Sequence, residues 1–422
     1  MARVLVVSLV FPPDGVSTAV IMGELSADLR RAGHEVTVIT TVPHYNRDER
    51  AEARQPLARR WGGLLFRSDY HGIPVLHVAM PRKTASVARR LLAWTQFHVL
   101  SVLAALAHVR RADVILAPSP PLTVGLVAWA LGLRYRAPFV YNVQELYPDI
   151  AITLGALRHR GLIKVLYGLE RFVYRRARFI TVIAERMRER VIHKGIPPLK
   201  VRLIPNFADV DDLVPIPRDN EFSRTHGLMN RFVVTYAGNM GPAQDLDGVL
   251  DAARLLLGDP RVCVLLVGEG SAYARLDARV RAERLTNVLM LPHQPYGLVP
   301  QIYASSDVCL VPLAKDAGSD AVPSKVYRIM ACERPVLVCA DSQSDLAELV
   351  RTAGSGVVVP QGDPQALAAA IDHMLSDPAA TAAMGRVGRA RVLADFSREA
   401  VSRQYVTLLT EAIRPAGAGN PS

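Results

Sequence analysis

This 422-residue chain runs through one grammar twice: a short apolar run, a loop, a helical pattern, then the next apolar run. In the first half the strand-type runs are RVLVVSLVF (3–11), EVTVITTV (35–42), GIPVLHVAM (72–80), ADVILAP (112–118) and APFVYNV (137–143). In the second they are RFVVTYAG (231–238), RVCVLLVG (261–268), NVLMLP (287–292), DVCLVPL (307–313), RPVLVCA (334–340) and SGVVVP (355–360). Nearly continuous apolar runs alternating with helical patterns predict parallel, doubly wound sheets covered by helices. The first helix stops at Gly33, just before the second strand. The length suits two domains of roughly 200 residues. IPNFADVDDLVPIPRDNEF (204–222) carries few helix or core signals and reads as the hinge. The expected organisation is a first domain over 1–205 and a second over 206–395. A helix over 396–414 then crosses back to the first domain, and a disordered tail fills 415–422.

Charge divides between the halves. Residues 1–200 hold 29 Lys and Arg against 14 Asp and Glu; residues 201–422 hold 21 against 25. The net charge of +11 therefore belongs to the first domain, which argues against a chain coated for nucleic acid. A basic first domain suits an anionic membrane face or an anionic acceptor. Cys263, Cys309, Cys332 and Cys339 form no CxxC pair and read as core thiols of a reducing compartment. The first residues read as a strand and its loop, with no signal peptide expected.

Residues 91–109, LLAWTQFHVLSVLAALAHV, lack charge and are bracketed by arginine pairs. Thr95, Gln96, His98, Ser101 and His108 make them too polar for an isolated span, and a sheet strand follows at once. They fit either a core helix or one resting at a membrane interface. Residues 156–191 interleave arginines with Leu162, Leu166, Leu169 and Phe172, as a basic amphipathic surface or a solvated face would.

Glycine loops follow several strands, at the edge where open parallel sheets bind ligands. FPPDGVSTAV (11–20) offers Gly15, Ser17 and Thr18, without the glycine spacing of a dinucleotide or P-loop site. YAGNMGPAQ (236–244) places Gly238 and Gly241 around Asn239, and VGEG (267–270) supplies Gly268 and Gly270. Backbone N–H groups in such loops can cradle a phosphate. GSDAVPSKVYRIMACERPVLV (318–338) reads as loop, helix and buried strand, the helix opening at Pro323-Ser324-Lys325. Ser324 is the expected N-cap. Lys325 then stands in the first turn, where a cation opposes the helix dipole; an anion beside it or a solvated lysine at a helix start explains this equally. Glu145, closing the strand APFVYNV, can take or orient a hydroxyl proton; a cap or an ion pair explains it equally. No metal-ligand spacing is present, and Asp209, Asp211 and Asp212 read as linker acids.

These marks together resemble one family. FPPDGVSTAV, LRRAGHEVTVIT (29–40), SPPLTVGL (119–126), VQELYPD (143–149), IPNFAD (204–209), YAGNMGPAQDLD (236–247), VPSKVYRIMACERPVLV (322–338) and GVVVPQGDPQALAAAI (356–371) are similar to the retaining glycosyltransferases of family 4. Within that family the chain looks most like the colanic-acid and O-antigen branch that includes N-acetylfucosaminyltransferases acting on lipid-linked sugars. The resemblance covers nearly the full length. It implies an α/β chain of GT-B architecture, with two Rossmann-like parallel-sheet domains facing a cleft. It also implies transfer of a sugar, an N-acetylhexosamine or deoxy relative, from a UDP-sugar to a lipid-linked or other glycan acceptor, with retention and without a cofactor.

The implied donor-binding residues are Gly238, Asn239, Gly241, Gln244, Gly268, Gly270, Pro323, Ser324, Lys325 and Arg328. Gly15, Ser17 and Thr18 are the implied acceptor-binding residues, and Glu145 and Lys325 the catalytic ones. The implied location is the cytoplasm, peripherally on the inner membrane face through the basic first domain. Two departures stand out. Asn239 and Gln244 occupy positions where many relatives carry arginine and lysine, and Asp320 and Arg328 occupy those of a glutamate pair spaced E-x7-E. Lys325 is the implied replacement for the missing cations; Arg328, three residues on, either joins it or serves only as a salt-bridge residue. A GT-B-fold nucleotide-sugar epimerase and a non-catalytic nucleotide- or glycan-binding homologue are the alternatives.

Overall fold

A computed structural model describes residues 1–44, 49–81, 87–153, 155–208, 210–315 and 322–414, with the side chains of 49, 50 and 87–92 left out. Asp209, Asp320 and the tail 415–422 therefore lie outside the described residues. Chain contacts divide into two units: residues 1–205 with the chain from Val401 onward, and residues 206–400. Each contains a parallel sheet of the Rossmann kind, so the α/β reading of the sequence holds for both.

The first unit contains β1 (Arg3–Val7), β2 (Glu35–Thr41), β3 (Ala58–Arg60), β4 (Leu65–Tyr70), β5 (Ile73–Val78), β6 (Val114–Ser119), β7 (Phe139–Val143), β8 (Phe179–Val182) and β9 (Val201–Leu203). Among the described residues they order as β3-β4-β5-β2-β1-β6-β7-β8-β9. Val4 of β1 pairs with Val36 on one side and Val114 on the other, and Val4 to Val7 are all buried, so this central strand is apolar on both faces. The sheet is parallel from β5 to β9, but β4 pairs antiparallel with both β3 and β5. This antiparallel corner is an addition at one edge of the parallel sheet. Its cause is the turn His71-Gly72, with φ of +50° and +77°, which folds the chain straight back so that Tyr70 meets Ile73. Asp69 Oδ1 accepts the Gly72 N–H at 2.6 Å and closes that turn.

Residues 91–109 fall in the helix Val87–His108. Phe97, Ser101, Ala104 and Ala105 are buried in the sheet's core, while Val99, Leu103 and Leu106 form an exposed stripe. No helix among the described residues is long and apolar enough to cross a membrane. The helix Arg398–Ile413 docks on this unit, Tyr405 Oη accepting from Asn142 Nδ2 at 2.9 Å and Ser402 Oγ donating to Asp28 at 2.6 Å.

The second unit contains β10 (Phe232–Ala237), β11 (Val262–Val267), β12 (Val288–Leu291), β13 (Val308–Pro312), β14 (Val336–Cys339) and β15 (Gly356–Val359). All six pair in parallel, in the order β12-β11-β10-β13-β14-β15. Burial alternates with period two: Phe232, Val234 and Tyr236 feed one core layer and Val233 the other. The stretch expected as a hinge is packed down on this unit from Leu213 onward. Leu213 is buried, Arg218 pairs with Asp307 at 2.6 Å, and Asn220 caps the helix Glu221–Thr225. Its prolines removed the helix signal without removing its anchors.

Candidate active site

In the second sheet β10 has β11 on one side and β13 on the other, so the winding direction reverses between β10 and β13. The loops leaving those two strands meet at this switch point, the place where open α/β sheets bind ligands. Two contacts hold the loops in register: Asp245 N–H donates to Pro312 O at 3.0 Å, and Ala314 N–H to Ala243 O at 3.1 Å.

Gly238, Gly268 and Gly270 have φ of +151°, +151° and +152°, a region that side chains rarely enter. Their reason is mutual approach. A Cβ on Gly268 would lie 1.9 Å from Gly238 O, and one on Gly270 would lie 2.3 Å from Met240 O. The Gly238 N–H donates to Val267 O at 2.9 Å and the Met240 N–H to Glu269 O at 2.7 Å, so the two loops form one sheet-end platform. The N–H groups of Asn239 and Gly241 hydrogen-bond to no described residue.

Lys325 enters over this platform from beyond β13. Its Nζ would lie 2.9 Å from a Cβ on Gly238, so glycine is what gives it room. The ammonium stands 4.1 Å from the ring centroid of Tyr236, the last aromatic of β10. It has no hydrogen bond and no carboxylate partner among the described residues. Desolvation, reinforced by the Arg328 charge, pushes its pKa down to about 8. Tyr236 Oη donates to Asn239 O at 2.6 Å, tying ring and loop together, and burial pushes this phenol up. Arg328 lies one turn further along, its guanidinium 5.6 Å from the Tyr296 ring centroid and without an ion pair among the described residues.

Gly238, Asn239, Gly241, Gly268, Gly270 and Lys325 thus gather at one point. Gln244 lies in the same loop, bridged to Leu313, with a buried Oε1 that has no hydrogen-bond partner. Pro323 and Ser324 precede the helix Lys325–Ala331, but Ser324 is no N-cap. Its φ and ψ of −57° and −22° are already helical, which turns the hydroxyl away from the free N–H groups. With seven residues and no cap, this helix is a weak dipole, and the ammonium itself is the site's charge. No sequence motif marks the tyrosine beneath Lys325. In sequence, an aromatic ending a strand is indistinguishable from core.

The remaining candidates belong to the first unit. There the winding reverses between β1 and β6. Gly15 sits in the loop after β1, and Ser17 and Thr18 begin the helix Ser17–Arg31. Glu145 follows β7, exposed at the same carboxyl edge, with desolvation holding its pKa above the ordinary carboxylate value.

Residues 15–206 match the family model described as "Glycosyl transferase 4-like domain", and residues 218–391 match "Glycosyl transferases group 1". A protein of Escherichia coli K12, named for colanic acid biosynthesis as the glycosyl transferase WcaI, is 25% identical over 96% of this chain and 98% of its own. Among solved structures, a sucrose-phosphate synthase from Thermosynechococcus elongatus superposes with a TM-score of 0.74 at 19% identity, over 97% of this chain and 99% of its own. Anabaena HepE in complex with UDP gives 0.72 at 18%, over 97% and 100%.

Proposed function

We propose, from the premise that this chain belongs to the GT-B glycosyltransferases whose two domain models it matches, that it transfers a sugar from a UDP-sugar to a lipid-linked or other glycan acceptor. The sugar is an N-acetylhexosamine or a deoxy relative, and the product serves cell-surface polysaccharide or glycolipid biosynthesis. The observation that carries this reading is Lys325: a desolvated ammonium, unpaired among the described residues, above two interlocked glycine loops at the switch point of a parallel sheet. The UDP in the similar HepE structure and the colanic-acid name of the E. coli relative support the donor and pathway class.

As the bond from the anomeric carbon to the diphosphate breaks, negative charge grows on the leaving oxygen. Lys325 and the N–H groups of Asn239 and Gly241 are fixed donors that strengthen with that charge. Arg328 adds a second cation on the same helix. Glu145, with its raised pKa, takes or orients the acceptor hydroxyl proton. The sugar keeps its anomeric configuration, the acceptor attacking the face that the diphosphate leaves. The protein works at the cytoplasmic face of the plasma membrane, held peripherally by the basic first domain. The exposed stripe Val99, Leu103 and Leu106 supplies apolar contact there.

The test is UDP release by purified protein from a panel of UDP-sugars, with and without membrane extract. The reading expects release with one donor class and only when extract is present. No turnover across the panel would sink it, and interconversion of UDP-sugars without acceptor would replace it by an epimerase.

A further inference from the structure

The amino-terminal edge of the first sheet holds a second cationic site. Strands β6 to β9 are neighbours, and each is entered through a basic turn: Arg110-Arg111, then Arg134 and Arg136, then Arg175, Arg176 and Arg178, then Lys200. Parallel pairing brings these turns to one edge. Where β7, β8 and β9 begin, a cavity of 730 Å³ opens, lined by Arg176, Arg178, Lys200 and Arg202, with Glu411 as the one carboxylate among its described residues.

The cations there are not paired off. Arg202 meets Glu411 at 2.9 Å, but Arg176 and Arg178 have no ion pair among the described residues. Arg178 Nε is buried without a hydrogen-bond partner, and its guanidinium lies 5.5 Å from the Phe179 ring centroid. The Arg202 guanidinium approaches the same ring at 4.9 Å. Lys200 Nζ donates to Arg175 O at 2.6 Å, while burial and the Arg178 charge lower its pKa. Gathering like charges in a partly desolvated hollow costs free energy in the empty protein, and an anion would recover it. Guanidinium and ammonium donors around one hollow suit the many oxygens of a phosphate.

We propose that this cavity binds a phosphate or diphosphate group, as a site of the first domain distinct from the glycine-loop site of the second. Either a free small molecule or a lipid headgroup carries the group, and two probes separate the sources. The full-length protein is titrated with inorganic pyrophosphate in saturating UDP, and sedimented with vesicles of phosphatidylglycerol or of phosphatidylcholine. Pyrophosphate is expected to bind the wild type at least about tenfold more tightly than the double variant Arg176→Gln, Arg178→Gln. If the natural group is a headgroup, only phosphatidylglycerol vesicles retain the protein, and the double variant releases it. Lys200→Met is the second variant should the first fail to fold. Binding of neither probe, or equal binding by wild type and variants, overturns the proposal.

Discussion

Two groups of cations in the second domain show what folding does with charge and what it leaves undone. Between the helices Leu246–Leu255 and Tyr273–Ala282, Arg279 reaches Asp251 and Glu283 at 2.6 Å and Asp247 at 3.1 Å, and Arg275 reaches Asp247 at 2.6 Å. The acids hold the Arg279 guanidinium firmly charged, and Arg275 with Arg279 holds the Asp247 carboxyl below its usual range. Above the glycine platform, Lys325 and Arg328 face aromatic rings and no acid among the described residues. The first group is complete as it stands. The second has no counter-charge among the described residues, which suits the diphosphate proposed for it.

Four changes would break or sharpen this contrast. The largest effect is expected at Gly268→Ala, whose Cβ would sit 1.9 Å from Gly238 O at a φ of +151°. It should cost about 3 kcal/mol or more and remove the platform beneath Lys325, read as a lost or greatly lowered melting transition. Arg279→Ala comes next, costing about 1–2 kcal/mol of stability in denaturant unfolding while leaving UDP affinity unchanged. A matching loss of UDP affinity would erase the distinction between the groups. Lys325→Ala reverses that pattern: turnover should fall at least about tenfold, or 1.4 kcal/mol, with the melting temperature kept. Unchanged kinetics would remove Lys325 from the mechanism.

The smallest effect is the pH dependence. The empty protein holds Lys325 near a pKa of about 8, and a bound diphosphate raises it. UDP affinity should therefore be full below pH 8 and decline above it, by at most about tenfold per pH unit. For the empty fold the sign is opposite. Between about 8 and the ordinary lysine value the unfolded chain binds more protons, so this group makes stability rise with pH. Titration calorimetry from pH 7 to 9 checks the first, and denaturant unfolding over the same range the second.

Much of this fold is legible in the sequence because its central strands are apolar on both faces. All six strands of the second sheet stand out as runs such as VCVLLV. The first sheet hides more. LFRSDY (65–70) has only Leu65 and Ser68 buried, and the edge strand Ala58–Arg60 is exposed throughout. FITV (179–182) is fully buried, yet it sits among arginines and reads as part of a basic amphipathic stretch. At the site, the glycines and Lys325 are visible because their residue types are chemically telling. The Tyr236 shelf depends on which strand ends beside which loop, and the failure of Ser324 as a cap depends on a backbone angle, so neither shows in one dimension.

The central claim is that an unpaired, desolvated ammonium at Lys325 is held for a nucleotide diphosphate. Lys325→Met keeps the length of the side chain and removes the charge, so it isolates that claim from packing. Calorimetric titration of wild type and Lys325→Met with UDP at pH 7 should show affinity falling by about tenfold or more, with the empty variant melting at or above the wild-type temperature. Equal UDP affinity in the two proteins, or a variant that melts markedly lower, would contradict it.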